Sequence, residues 1–203
     1  MFKELQDLFN WRGRQVTRII KSLSPKVLDA ARSMRVVLYG HDGEGVPDRL
    51  VNEIGSGALG FYSPGPDSIG VYPDRIAETE RCSTLNIVLA HELIHATGHY
   101  KRLNRGGIGE STAPGKVFRA IPSVEAQAHE EVIAQYGGML LLKKLGLHTR
   151  ANEVDTERYL KKFHRPDGQP TDEQRLEAVR AVKYVLQRME IARGGQDHAG
   201  EVA

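Results

Sequence analysis

Over most of this 203-residue chain, apolar and polar positions recur with a helical period, and one short stretch of strand-like runs interrupts the pattern. Phe2, Leu5, Leu8 and Phe9 share one face of a helix expected over 2–22, which Gly13 would interrupt. Ser24-Pro25 reads as a stop and a restart, since serine can cap a helix and proline suits its first position. A second helix should then run to about Arg35. The apolar run Val36-Val37-Leu38-Tyr39 predicts a strand, and the GHDGEGVPD segment that follows predicts a loop. Two more short strands, 57–62 and 68–72, flank the turn Ser63-Pro64-Gly65-Pro66-Asp67.

The second half reads as helical. A long helix is expected over about 80–100, and a loop with glycine and proline over about 104–122. Ser123 should cap a helix over 124–145 that Gly146 ends. A short helix over 153–163 and the turn 165–170 lead to a last helix, 172–192, with Leu176, Val179, Val182 and Leu186 as its apolar positions. The tail from 193 to 203 reads as disordered. The organisation expected is a domain over 57–192, with residues 1–56 forming an N-terminal helical segment and first strand that belong to it or pack on it.

Within the helix over 80–100 lies His91-Glu92-Leu93-Ile94-His95, an HExxH segment. Residues four apart share a helix face, so both imidazoles can address one ion. Glu92 stands one step round, beside that ion, where it can act as general base toward a water. Leu85, Leu89, Leu93 and Ala96 form one apolar stripe, and Ile87, Ala90, Ile94 and Thr97 another, so the helix should be buried. Polar groups on a buried helix carry a desolvation cost that a bound dication offsets.

A catalytic zinc ordinarily has three protein ligands and one open position. The helix over 124–145 offers Glu125, His129, Glu130 and Glu131 for the third. Val124, Val132, Ile133, Tyr136, Met139 and Leu140 should pack it into the core, and Ala128, Ala134, Gly137 and Gly138 are small enough for close approach. Glu131 shares a side with Ala128, Gln135 and Gly138 and is favoured over Glu130. Gln135 would then orient a ligand histidine. His99 continues the spacing of four but sits two turns from His91, and each turn rises ~5.4 Å. It is read as a supporting group, with a ligand role as the alternative. Tyr136, Tyr100 and His129 are the candidates for an oxyanion donor or a substrate contact.

Composition changes this picture little. Apolar residues are 40% and charged residues 27%, an ordinary globular balance, and a net charge of +2 exerts no overall pull toward nucleic acid. Residues 1–35 are more basic, with Lys3, Arg12, Arg14, Arg18, Lys21, Lys26, Arg32 and Arg35 against Glu4, Asp7 and Asp29. A solvated helix face explains that, and a weak nucleic-acid or anionic-surface contact is the alternative. The single cysteine, Cys82, excludes an intrachain disulfide and a cysteine-based zinc site. The start of the chain does not read as a signal peptide, and no stretch approaches the ~20 apolar residues that span a bilayer, so a cytoplasmic protein without membrane contact is expected.

The stretch from Ala58 to Ile69 and the block HELIHATGHYKRLNR (91–105) resemble the metallopeptidase domain of ArdC-type antirestriction proteins, related to domains in polyvalent proteins of phages and plasmids. The likeness continues through AHEEVIAQ (128–135), Tyr159-Leu160 and the segment from Ala178 to Leu186, and covers roughly 57–190. It implies an α+β, zincin-like fold: a small, mostly antiparallel sheet packed on the metal-binding helix and on a second helix that donates a glutamate. Gln135 stands where the family has a glutamate, and the family's single-stranded-DNA-binding domain is not recognisable in 1–56. The expected function is hydrolysis of peptide bonds in a protein substrate with one Zn2+, held by His91, His95 and Glu131, and with Glu92 as the base. Action against host defence is what the family adds. The rivals are a non-enzymatic, zinc-stabilised module that binds DNA or protein, and a regulatory protease with a single target.

Overall fold

The computed structural model describes residues 22–40, 59–65, 67–72, 81–105, 108, 123–161 and 169–197. The expected helix over 2–22, the loop after Gly40 and most of the loop over 104–122 lie outside them, as does most of the basic N-terminal stretch.

Among the described residues the chain order is α1 (Pro25–Met34), β1 (Val37–Gly40), β2 (Gly60–Ser63), β3 (Ser68–Val71), α2 (Arg81–Thr97), α3 (Val124–Leu145), α4 (Arg150–Lys161) and α5 (Asp172–Asp197). Pro25 opens α1 at its first position, as the sequence implies. Ser24 does not cap with its side chain; its backbone N–H donates to Asn86 Oδ1 at 2.9 Å, and its carbonyl accepts from Val27 and Leu28. Ser123 does cap α3, accepting from Ala126 N at 3.1 Å, and Gly146 ends α3 in the left-handed region at φ 71°. Thr171 and Gln174 open α5 with reciprocal bonds of 3.1 and 2.8 Å. Thr149 and Asn152 pair in the same manner and start α4 three residues ahead of the expected position.

The sheet has the order β1-β3-β2. The β2–β3 hairpin is antiparallel, with Phe61 opposite Gly70, while β1 joins β3 in parallel, with Leu38 opposite Ile69. β3 is therefore central and has no free edge for an added strand. Of the two hairpin strands, β2 alone keeps an edge unpaired among the described residues. Gly70 gives the Phe61 ring its place, since a Cβ there would meet that ring at 2.1 Å.

One core joins these pieces. Leu23, Val27, Leu28 and Met34 from the first part pack with Ile69, Leu89, Leu93, Ile133, Leu142, Val182 and Val185. Two expectations about packing are corrected. Val124 is 77% exposed, at the first turn of α3 where the helix has not yet reached the core. On α5, Leu176 and Val179 face outward; the buried stripe is Ala178, Ala181, Val182, Val185 and Met189. The buried stripe carries two valines and a methionine, and its small alanines let α5 lie close against its neighbours. α5 also continues through Gly194 to Asp197, past the expected end at 192. No helix among the described residues is long and apolar enough to cross a membrane.

Candidate metal centre

Both apolar stripes of α2 are buried as its pattern requires, and the three polar residues of HExxH are buried among them. The His91 and His95 rings meet edge to face, 4.7 Å between centroids, with their Nε2 atoms 3.0 Å apart. From α3, Glu131 reaches across to both: Oε2 lies 3.4 Å from His91 Nε2, and Oε1 lies 3.4 Å from His95 Nε2. Gly138 makes this approach possible. A Cβ there would stand 2.9 Å from the His91 backbone nitrogen and 3.1 Å from its Cα, so α3 and α2 touch nearly backbone to backbone beside the first histidine.

The outer hydrogen bonds assign the tautomers. Gln135 donates through Nε2 to Thr156 Oγ1 at 3.0 Å, which turns its Oε1 toward His91 Nδ1 at 3.0 Å. His91 Nδ1 therefore carries the proton. His95 Nδ1 faces Glu130 Oε1 at 3.2 Å, and that carboxylate is held ionised by Arg105, so His95 Nδ1 also carries a proton. Both Nε2 atoms are then left as lone-pair acceptors pointing at each other, with two carboxylate oxygens beside them. Acceptors facing acceptors in a buried place call for a cation. The spacing suits a small one: ligands ~2.0–2.1 Å from a tetrahedral ion stand about 3.3 Å from one another. These residues fit the metal that the HExxH pattern implies.

Electrostatics agree with the geometry. Burial works against charge on His95, but Glu131, Glu130 and Glu92 outweigh it and raise its pKa to about 10, so in the metal-free protein a proton takes the place of a cation. Burial likewise opposes the charge on Glu131, and the two histidines overcome it and hold its carboxyl well below the usual range. Glu92 moves the other way: burial raises its pKa, and His91 and His95 only partly offset that.

Glu92 can be grouped with the histidines more loosely, each offering one atom within 4.8 Å of the others. Glu131 is the better third donor, because its oxygens face both Nε2 atoms while Glu92 stands one step round the helix. Among the described residues nothing donates a hydrogen bond to the Glu92 carboxylate. Its Oε1 lies against the start of β2, where a Cβ on Gly60 would approach it to 3.1 Å and meet Val88 at 2.6 Å.

Glu130, the alternative to Glu131, is spent on Arg105 and on the outer nitrogen of His95. His99 donates from Nε2 to the Pro64 carbonyl at 3.2 Å and accepts from Lys101 N at Nδ1, so both its nitrogens serve backbone groups. The chain leaves the helix at Thr97, short of the expected 100, which takes His99 off the α2 face. Tyr136 packs against the core, Tyr100 lies on the His99 ring, and His129 meets Gln174 at 3.5 Å. The tyrosine that does reach the candidate ligands is Tyr159. Its hydroxyl donates to Glu131 Oε2 at 2.7 Å and its ring lies edge to face with His91 at 5.7 Å. Burial, then Glu131, raises its pKa, so it stays a donor. Thr156 carries no local pattern that marks it, while Arg105 closes the family-like block 91–105 and Tyr159 lies in the family-like pair 159–160; that likeness is the signal that could have found these two, since a tyrosine two residues from the end of a short polar helix otherwise reads as ordinary packing.

The zincin-like metallopeptidase family model matches residues 51–165, more than half of the chain. Among solved structures, the antirestriction protein ArdC from the R388 plasmid is similar in its Mn(II)-bound form, at 18% identity and a TM-score of 0.50 over 82% of this chain and 52% of that one. The metal-free form of the same protein is similar at 19% identity and a TM-score of 0.50, over 82% and 51%. This chain thus spans about half the length of that protein, and at such identity the likeness concerns the fold. No curated protein matches. With that family model matching more than half of its length, the chain belongs to the zincin-like metallopeptidases.

Proposed function

We propose that this protein is a zinc-dependent peptidase, with His91, His95 and Glu131 as metal ligands and Glu92 as general base. The observation that carries the reading is the convergence of two imidazole lone pairs and one carboxylate, with the buried Glu92 next to them, to whose carboxylate nothing among the described residues donates. An ion held there supplies Lewis acidity, lowering the pKa of a bound water toward ~7 and stabilising an oxyanion.

The chain's own residues supply the rest. Glu92, with its pKa raised by burial, takes the proton from the attacking water and hands it to the leaving nitrogen. Tyr159 and the outer partners of the histidines hold the ligands in register. A peptide fits as an added strand on β2, whose second edge is unpaired among the described residues and whose first residue, Gly60, adjoins Glu92. Main-chain pairing there would lay a scissile bond across the base.

The test is a chelator-sensitive cleavage assay on a mixed peptide library, beside a gel shift with single-stranded DNA. Cleavage by the native protein should fall ~10²–10⁴-fold in Glu92→Gln, while zinc stays bound. Unchanged turnover in that variant removes Glu92 from the mechanism. No cleavage, with DNA binding that survives Glu92→Gln, replaces the peptidase by a zinc-stabilised binding module.

A further inference from the structure

Arg105 is a buried cation outside the helices that hold the candidate ligands, and no step of the hydrolysis uses it. It reaches the site because the chain doubles back after α2: Leu103 N bonds to Thr97 O, Arg105 N bonds to Gly98 O, and Asn104 takes a left-handed φ of 50°. Its guanidinium then donates to Glu130 Oε2 at 2.8 Å and Oε1 at 2.6 Å, to Thr97 Oγ1 at 2.7 Å and to Ile94 O at 2.6 Å. Gly98 leaves the room, since a Cβ there would press on Arg105 at 3.1 Å. Of these partners, Glu130 Oε1 also accepts from His95 Nδ1 at 3.2 Å.

A buried ion pair of this kind contributes little net stability, because desolvating both charges consumes most of the attraction. It does set the properties of what it touches. His95 donates to an ionised carboxylate that a planar guanidinium grips on both oxygens, whereas His91 donates to a neutral amide whose other end rests on Thr156. A carboxylate behind an imidazole strengthens its lone pair toward a metal; an amide mainly orients it.

We propose that Arg105 is a positioning residue which, through Glu130, makes His95 the stronger of two unequal metal ligands. His91, with Gln135 behind it, is the weaker arm. This inference rests on the metal-site part of the proposed function but not on hydrolysis.

The experiment measures Kd for Zn2+ and for Mn2+ by chelator competition, the d–d spectrum of the Co2+ form, and thermal unfolding of the metal-free protein. Three proteins are compared: native, Arg105→Gln/Glu130→Gln, and Gln135→Glu. The double variant removes both charges together and keeps an amide oxygen for His95, and its zinc affinity should fall ~10–100-fold. Gln135→Glu leaves the ion pair untouched and gives His91 a charged partner that can still accept from Thr156; its affinity should rise ~10-fold, with a shifted Co2+ spectrum. Unchanged Kd in a folded double variant overturns the proposal, and so does unchanged Kd in Gln135→Glu, which decides the matter if the double variant does not fold. A native protein that binds neither ion overturns the metal site itself. Zinc bound without peptide cleavage overturns only the peptidase reading.

Discussion

Two polar clusters, one half-buried and one buried, flank the C-terminal half of α2, and they differ in how donors and acceptors balance. Around Arg102 every group has a complement. Its guanidinium donates to both oxygens of Asp67 at 2.8 Å and to the carbonyls of Ala96 and Met34 at 2.8 and 3.1 Å, while Tyr62 donates its hydroxyl to Asp67 at 2.8 Å. Around His91 and His95 the outer nitrogens are equally well served, but the inner ones face each other and a carboxylate, and with both imidazoles neutral no donor stands between them. The first cluster is complete and ties the β2–β3 turn to the ends of α1 and α2. The second is complete only when a cation, or in its place a proton, is added. Burial and charge alone do not separate a structural cluster from a functional one; the donor and acceptor count does.

That contrast can be broken by substitution. The largest effect is expected from His95→Ala, which should abolish stoichiometric metal binding, read by elemental analysis, and with it any hydrolysis, while the metal-free circular dichroism stays native. Next is Arg102→Met. Removing one partner of a largely buried pair should cost about 3 kcal/mol in urea unfolding, at the low end of such losses because Asp67 is partly exposed. Zinc affinity should stay within twofold; a large loss there would mean that the two clusters are coupled. Tyr159→Phe removes a donor to the Glu131 carboxylate and should weaken zinc binding ~10-fold with a small change in unfolding. The smallest effect is in pH. Burial opposes charge on Asp67, but Arg102 and Tyr62 outweigh it and hold its pKa below the ordinary value. The stability it contributes is therefore fully present above about pH 4 and lost as pH falls through the folded pKa. A stability profile against pH should show that loss in the native protein and a flatter one in Arg102→Met.

Much of the site was legible because its signal is local. His91, Glu92 and His95 lie within five residues on a helix whose burial follows from Leu85, Leu89, Leu93 and Ile94. Glu131 stood out by sharing a side with Gly138, the residue on which the approach of α3 depends. Tyr159 and Arg105 fall within the segments that carry the family likeness, but nothing local gave either of them a role. The first acts across a helix–helix contact, and the second acts through a reversal of chain direction that depends on Gly98 and on a left-handed Asn104. The outward turn of Leu176 and Val179 was equally hidden, since a helix with apolar residues on two faces does not state which face its neighbours will cover.

By itself the sequence determined which residues could be helical, where Pro25, Ser123 and Gly146 begin and end the helices, and that two histidines one turn apart share a side. Periodicity and capping are properties of neighbours along the chain, so they need no fold to be read. Tertiary structure alone decided that β3 is central, that Glu130 belongs to Arg105 while Glu131 faces both imidazoles, and that Tyr159 donates to it. Those are matters of which segments, far apart along the chain, come to lie against one another, and only the packing of one element on the next decides them.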